Sequence, residues 1–198
     1  MAETQPTQPE PVRAKRAPVI ILTVLIILLL ETGALLAVIY SGVYNIGTYN
    51  HDTGWINHFL DTSMTRAVQS HAHGVQVPAL SDPAMVQGGF MHYDNMCAQC
   101  HGAPGVEPDD IAKGLWPKAP NLAKTVPTWT PAELFWITKY GIKFSAMPAW
   151  GPTHDDKKIW SMVAFLEKLP HLSPQDYQNM KGQPASEQHK PSAEQHAQ

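Results

Sequence analysis

The chain has 198 residues, 16% of them charged, and a formal net charge of −3. Soluble domains average about 25% charged residues, so the figures suit one ordinary domain with an apolar appendage and argue against nucleic-acid binding through a basic surface. The 18 Pro and 13 Gly imply long loops, and 2 Cys exclude a disulfide-stapled scaffold and a four-Cys zinc site.

Residues 1–16 open polar and Pro-rich and are expected to form a disordered cytoplasmic terminus. Residues 17–40 read APVIILTVLIILLLETGALLAVIY, with Glu31 the one charge. As a helix at ~1.5 Å per residue this run spans about 34 Å, enough to cross a hydrocarbon core of ~30 Å. A cleaved signal peptide is the rival reading. Its apolar stretch is usually about 7–15 residues and ends in a small-x-small site, whereas this run continues past Glu31. Arg13, Lys15 and Arg16 precede the run and no Lys or Arg follows until Arg66. The positive-inside rule then keeps the N-terminus in the cytoplasm and residues 41–198 outside it. Glu31 is expected as a protonated carboxyl hydrogen-bonded to a neighbouring helix of a partner, in preference to a proton-transfer role, with Gly33, Ala34 and Ala37 allowing close helix approach.

Residues 41–81 read as a linker carrying an amphipathic helix. Tyr40, Tyr44 and Tyr49 suit a membrane surface. Ile56, Leu60, Met64 and Val68 repeat every fourth residue with Trp55 and Phe59 beside them, so this helix lies on a membrane interface or on a partner.

The core domain is expected over 82–172. Its first helix starts after Ser81 with Pro83 in the first turn and runs to about Met96. A second begins at Thr130, where Thr130 and Glu133 match a capping box with Pro131 at the first helical position. A third follows Thr153 or His154, has Asp155 and Asp156 in its first turn, and ends before Pro170. Residues 102–129 read as a long irregular loop, and no stretch alternates as a strand. Residues 173–198 are expected to be a mostly disordered tail.

Both cysteines fall in Cys97-Ala98-Gln99-Cys100-His101. C-x-x-C-H is the attachment signature of c-type haem. Two thiols one helical turn apart can add to the two vinyl groups of a porphyrin, and the next residue can present an imidazole to the iron. Covalent attachment holds the group in a domain too small to enclose it by packing alone. A thioredoxin-like pair would need a βαβ context, and zinc would need four ligands; neither is visible. His71 and His73, like most of the other histidines, read as solvent-facing side chains.

With this motif on the page, residues 82–170 resemble the class I mono-haem c-type cytochromes, such as the membrane-anchored cytochrome c subunits of bacterial respiratory complexes. Gly88 or Gly89 with Phe90 and Tyr93 precede the motif as the family's small residue and aromatic do, where the first helix crosses the last. Ile159, Trp160 and Val163 would receive that crossing. Ala119-Pro120-Asn121-Leu122 resembles a segment in which the Pro carbonyl accepts a hydrogen bond from the ligand His and the Leu packs on haem. Ser145-Ala146-Met147-Pro148 resembles the segment carrying the sixth ligand. The resemblance thus implies an all-α fold of three to five helices around one haem c, behind one transmembrane helix. It implies Cys97, Cys100, His101, Pro120, Leu122 and Met147 as haem contacts, with His101 and Met147 on the iron. Among the other methionines, Met85, Met91 and Met96 lie on or beside the motif's own helix, Met162 reads as core, and His92 and His154 are the histidine alternatives.

The implied function is one-electron transfer without catalysis of its own, within the bacterial inner membrane and facing the periplasm. Expected partners are the membrane and a redox protein: a quinol-oxidising complex, a terminal oxidase or a periplasmic oxidoreductase. Neither nucleic acid nor a small-molecule substrate is expected. Lys113, Lys118, Lys124, Lys139 and Lys143 would steer an acidic partner to the haem edge. The alternatives are an open-iron peroxidase or gas sensor and, with free thiols, thiol–disulfide exchange.

Overall fold

The computed structural model describes residues 12–49 and 54–182. The chain divides into two units, Met1–Asn50 and His51–Gln198.

The first unit is helix α1, Val12–Ser41. Within it, Arg16–Ser41 contains an 18-residue stretch with a mean hydropathy of 2.8, none of it buried. At ~1.5 Å per residue it reaches about 39 Å, long enough to cross a bilayer. The hydroxyls of Thr23 and Thr32 donate to the carbonyls of Val19 and Leu28, at 2.9 and 2.7 Å. Such bonds satisfy polar groups that lipid cannot. The helix starts at Val12, not near 17, because extending a formed helix costs far less than nucleating one. The expected disorder of residues 1–11 falls outside the described residues. Residues 42–49 follow as an irregular segment with Val43, Tyr44, Ile46 and Tyr49 exposed.

The second unit is all-helical among its described residues. Its one β feature is an isolated bridge between Ala103 and Val106. It contains α2 (Gly54–Ala72), α3 (Pro83–His92), a π-helical turn (Tyr93–Cys97), α4 (Ala98–His101), α5 (Asp110–Lys113), α6 (Leu122–Thr125), α7 (Pro131–Tyr140), α8 (Asp156–Lys168) and α9 (Pro174–Lys181).

Local chemistry accounts for the element starts. Asp82 accepts from the Ala84 N–H at 2.9 Å and Pro83 takes the first helical position of α3. Thr130 and Glu133 close the capping box of α7, the Glu133 carboxylate accepting from the Thr130 N–H at 2.7 Å. Asp155 caps α8 through the Lys158 N–H at 2.9 Å.

The core is the crossing of α3 with α8. A Cβ on Gly89 would lie 1.9 Å from the Ser161 carbonyl oxygen and 2.9 Å from Phe165 Cβ, while one on Gly88 would meet nothing within 4 Å. Gly89 alone therefore permits the approach. Phe90 and Tyr93 pack against Phe165 at centroid distances of 5.5 and 5.1 Å, over fully buried Ile159 and Val163. Met162 is buried in this core, as its sequence position suggested.

Two boundaries differ from the sequence reading. Residues 174–181 form helix α9, whose capping box joins Ser173 to Asp176. Its Tyr177 is fully buried against Phe90, at a centroid distance of 5.3 Å. The polar composition of this stretch hides one aromatic that the core covers. The rest of the expected tail, residues 183–198, lies outside the described residues. The other difference is α2. Val68 and Ala72 are buried where its C-terminal half meets α7, and His71 stacks on Trp136 at 5.4 Å.

Candidate haem site

The motif sits at the end of one nearly continuous helix that changes pitch just before it. From Tyr93 to Cys97 the chain makes a π turn, the Ala98 N–H donating to the Tyr93 carbonyl five residues back. One extra residue in a turn re-aims the following side chains by about 100° round the axis. Tyr93 thus stays in the core while Cys97 and Cys100 are half-buried. The Tyr93 hydroxyl donates to the Gly102 carbonyl at 2.6 Å, which closes the motif's far end. Asp94, inside the π turn, accepts from the Tyr177 hydroxyl at 2.7 Å and pairs with Lys181 at 2.8 Å, so α9 braces the turn. Burial pushes both phenols well above their usual range.

The two thiols are not joined in a disulfide. Burial, with Cys100 close by, pushes the Cys97 thiol up to about 12, so it is neutral near pH 7. His101 is half-buried, and its Nδ1 lies 2.8 Å from the Pro120 carbonyl oxygen. Burial lowers the pKa of the ring, only partly opposed by that bond, which favours a neutral imidazole. With Nδ1–H donated to Pro120, Nε2 is left as the lone-pair nitrogen. The next residues form helix α6, where Leu122 is half-buried against the core.

Met147 is held by a different loop. The Met147 carbonyl accepts from the Ile142 N–H at 3.2 Å, and the Met147 N–H donates to Ser145 Oγ at 3.1 Å. Trp150 and Gly151 donate to the Thr138 and Lys139 carbonyls at 3.2 and 2.9 Å, closing the loop back on α7. Gly141 turns the chain with φ +67°, and a Cβ there would lie 2.7–2.8 Å from the backbone of Met147, Pro148 and Ala149. Met147 is itself half-buried. The contacts therefore join Cys97, Cys100, His101 and Pro120 in one group and place Met147 on a separate, well-fastened loop. His92 and His154 pack against each other at 5.1 Å.

The donor set fits a haem. One helical turn carries two unlinked thiols, and an adjacent imidazole has its distal nitrogen already tied. Leu115, Leu122, Trp129, Ile142 and Trp150 stand half-buried in the 102–150 segment, in contrast with the sealed α3–α8 seam. No cluster of three or more His, Cys, Asp or Glu suits a bare metal ion among the described residues. A bound haem c would supply one-electron Fe(II)/Fe(III) chemistry. A cleft of about 170 Å³ near Met91, Asn95 and Met180 lies between α3 and α9 and includes none of the candidate haem residues.

Sequence reading missed the Tyr93–Gly102 bond, the Asp94 brace and Gly141. Only Gly141, in a Tyr-Gly pair ending a capped helix, left a signal in sequence. Two of the five candidate docking lysines are engaged within the chain: Lys113 pairs with Asp110 and Lys139 with Asp156, each at 2.6 Å.

A protein-family model described as cytochrome C oxidase, cbb3-type, subunit III matches residues 84–166. No curated protein and no solved structure matches the chain. The matched span begins in α3, contains the whole C-x-x-C-H motif and ends in α8, and so coincides with the helix crossing and the haem site. Residues 84–166 are a class I c-type cytochrome domain, an electron-transfer haem module in a chain whose long apolar helix α1 is consistent with a membrane anchor.

Proposed function

We propose that this chain is a one-electron carrier with a single haem c, joined through Cys97 and Cys100 and ligated by His101 and Met147. The observation that carries this reading is the 2.8 Å contact from His101 Nδ1 to the Pro120 carbonyl beside two unlinked thiols. The chain's residues have defined tasks. Pro120 fixes the imidazole tautomer and strengthens its donation to iron. Leu122 would cover a bound porphyrin. The Ile142–Trp150 loop presents a thioether, which raises the potential relative to a second histidine. Held by both His101 and Met147, a bound haem would offer no open site to a substrate.

The basic flank at Arg13, Lys15 and Arg16 favours a cytoplasmic N-terminus and a periplasmic haem domain in a bacterial inner membrane. Glu31 and the small residues Gly33, Ala34 and Ala37 favour packing against another membrane subunit. The matching family is named for an oxidase subunit, which makes a terminal oxidase the first partner to test, ahead of a quinol-oxidising complex or a periplasmic oxidoreductase. Lys118, Lys124 and Lys143 are exposed, make no ion pair among the described residues and flank the Pro120 and Met147 segments. They supply the positive edge such a partner would meet.

Optical spectra of the detergent-solubilised protein, oxidised, reduced and then exposed to CO, test the reading. A low-spin c-type spectrum, a weak red sulfur-to-iron band in the oxidised form and indifference to CO are expected. A high-spin spectrum or rapid CO binding would instead mean an open iron, as in a peroxidase or gas sensor, and would remove Met147 from the iron. Electron-transfer rates to the partner should fall with salt; a flat dependence removes the lysine edge.

A further inference from the structure

Helix α2 has two faces with different occupants. Its C-terminal half gives Val68 and Ala72 to α7, both buried. Its N-terminal half leaves Trp55 76% and Phe59 64% exposed, one turn apart. At 3.6 residues per turn these two aromatics lie ~140° round the axis from the buried pair. Arg66 falls on the same side as Trp55 and Phe59, is exposed and makes no ion pair among the described residues. The helix thus carries a second amphipathic face, with two aromatics near one end and a cation about 10 Å beyond Phe59 along the axis.

Covalent connection limits what can cover that face. Residues 42–53 alone link the end of α1 to the start of α2. Fully extended, that link reaches no more than ~40 Å. The aromatics occupy the end of α2 that follows the link in sequence, and Tyr44 and Tyr49 in the link are 51% and 92% exposed. Trp and Tyr are the residues that settle at a membrane–water boundary, and a cation on the same face can reach lipid phosphates.

We infer that the N-terminal half of α2 lies on the lipid surface, Trp55 and Phe59 entering the headgroup layer and Arg66 meeting lipid phosphate. Its C-terminal half holds α7 through Val68 and Ala72, so α2 tethers the haem domain at a set distance from the bilayer. This inference rests on the membrane anchor and is independent of the electron-transfer partner and of the side of the membrane.

The test uses the full haem-loaded chain in vesicles of phosphatidylcholine and phosphatidylglycerol. p-Benzoylphenylalanine replaces Phe59 in one sample and the exposed Asp61, about 140° round the helix from this face, in a control. Retention of covalent haem and recovery in the vesicle fraction report folding and anchoring separately. Irradiation is expected to give a lipid adduct at position 59, seen as a lipid-sized mass increment, at least fivefold above position 61. A protein–protein adduct at 59, equal lipid adduct at both positions, or none at either overturns the inference. A Trp55→Ser, Phe59→Ser variant supplies the second reading. Chymotryptic cutting at Tyr44 or Tyr49 should rise severalfold in vesicles and stay unchanged in detergent micelles. Equal cutting of variant and parent in vesicles also overturns it. Failure to recover the parent protein with vesicles would instead refute the anchor itself.

Discussion

Gly89→Ala places a methyl carbon 1.9 Å from the Ser161 carbonyl oxygen and 2.9 Å from Phe165 Cβ. An ordinary carbon–oxygen contact is ~3.3 Å or more, so α3 and α8 must separate by about 1.4 Å. A gap of even 0.5–1 Å forfeits roughly a quarter to a half of each dispersion contact across it. The seam holds Phe90, Tyr93, Ile159, Val163 and Phe165, all buried, so the loss is shared along its length. We set this at about 3 kcal/mol, the upper end of overpacking costs. The better helix propensity of Ala returns about 1 kcal/mol, leaving about 2 kcal/mol of destabilisation, or roughly a thirtyfold fall in the folded-to-unfolded ratio. Gly88→Ala is the internal control. It meets nothing within 4 Å and should stabilise by about 0.5–1 kcal/mol. Guanidinium unfolding of the haem-loaded protein in detergent, followed by haem absorbance, measures both midpoints. If Gly89→Ala unfolds at or above the parent midpoint with unchanged slope, the close crossing is not where the structure puts it.

Four further outcomes are expected. Tyr93→Phe strands the Gly102 carbonyl that now accepts at 2.6 Å, and should cost about 1–2 kcal/mol in the same unfolding assay. Ending the chain after Ser173 removes the fully buried Tyr177 and should cost about 3–5 kcal/mol, read as a lowered thermal midpoint. Gly141→Ala strains a backbone at φ +67° by about 1–2 kcal/mol and pushes on the Met147 loop. It should weaken the oxidised sulfur-to-iron band while covalent haem is retained. Hydrogen bonds from Ser173 hold the Asp176 carboxyl below its ordinary 3.8. Because that pKa is depressed on folding, the stability it contributes is complete above the unfolded value and is lost as pH falls through the folded one. Asp176→Asn should therefore flatten the acid limb of the stability curve below pH ~4 and leave it parallel to the parent above pH ~6.

Some features were legible because one residue's chemistry decides them. The capping box at Thr130 and Glu133, the Asp155 cap of α8, the apolar run of α1 and the C-x-x-C-H motif all act within a few residues of themselves. The choice between Gly88 and Gly89 depends on where Ser161 arrives, which no local pattern states. Helix α9 escaped for a similar reason: its polar composition is a fair description of its exposed face, and Tyr177 matters only once Phe90 and Phe165 form a site for it. The π turn is set by tertiary demand, since Tyr93 must face the core while Cys97 and Cys100 stay half-buried. Of the candidate site, the motif was legible from spacing, and the Pro120 and Met147 segments only through resemblance. The loop that fastens Met147 depends on backbone bonds from Ile142, Trp150 and Gly151 that carry no side-chain signature.

The crossing of α3 and α8 also bears on the order of events during synthesis. The two helices lie at opposite ends of the domain, and a ribosome releases α3 and the cysteine pair long before Ser161 exists. Until α8 emerges, Phe90 and Tyr93 have no cover and the intervening loop has not been closed, so the seam cannot form piecemeal. The thiols of Cys97 and Cys100 therefore spend the whole of that interval on an unclosed chain. Arrival of α8 ends that interval: it closes the seam over Phe90 and Tyr93 and leaves the cysteine pair half-buried beside it.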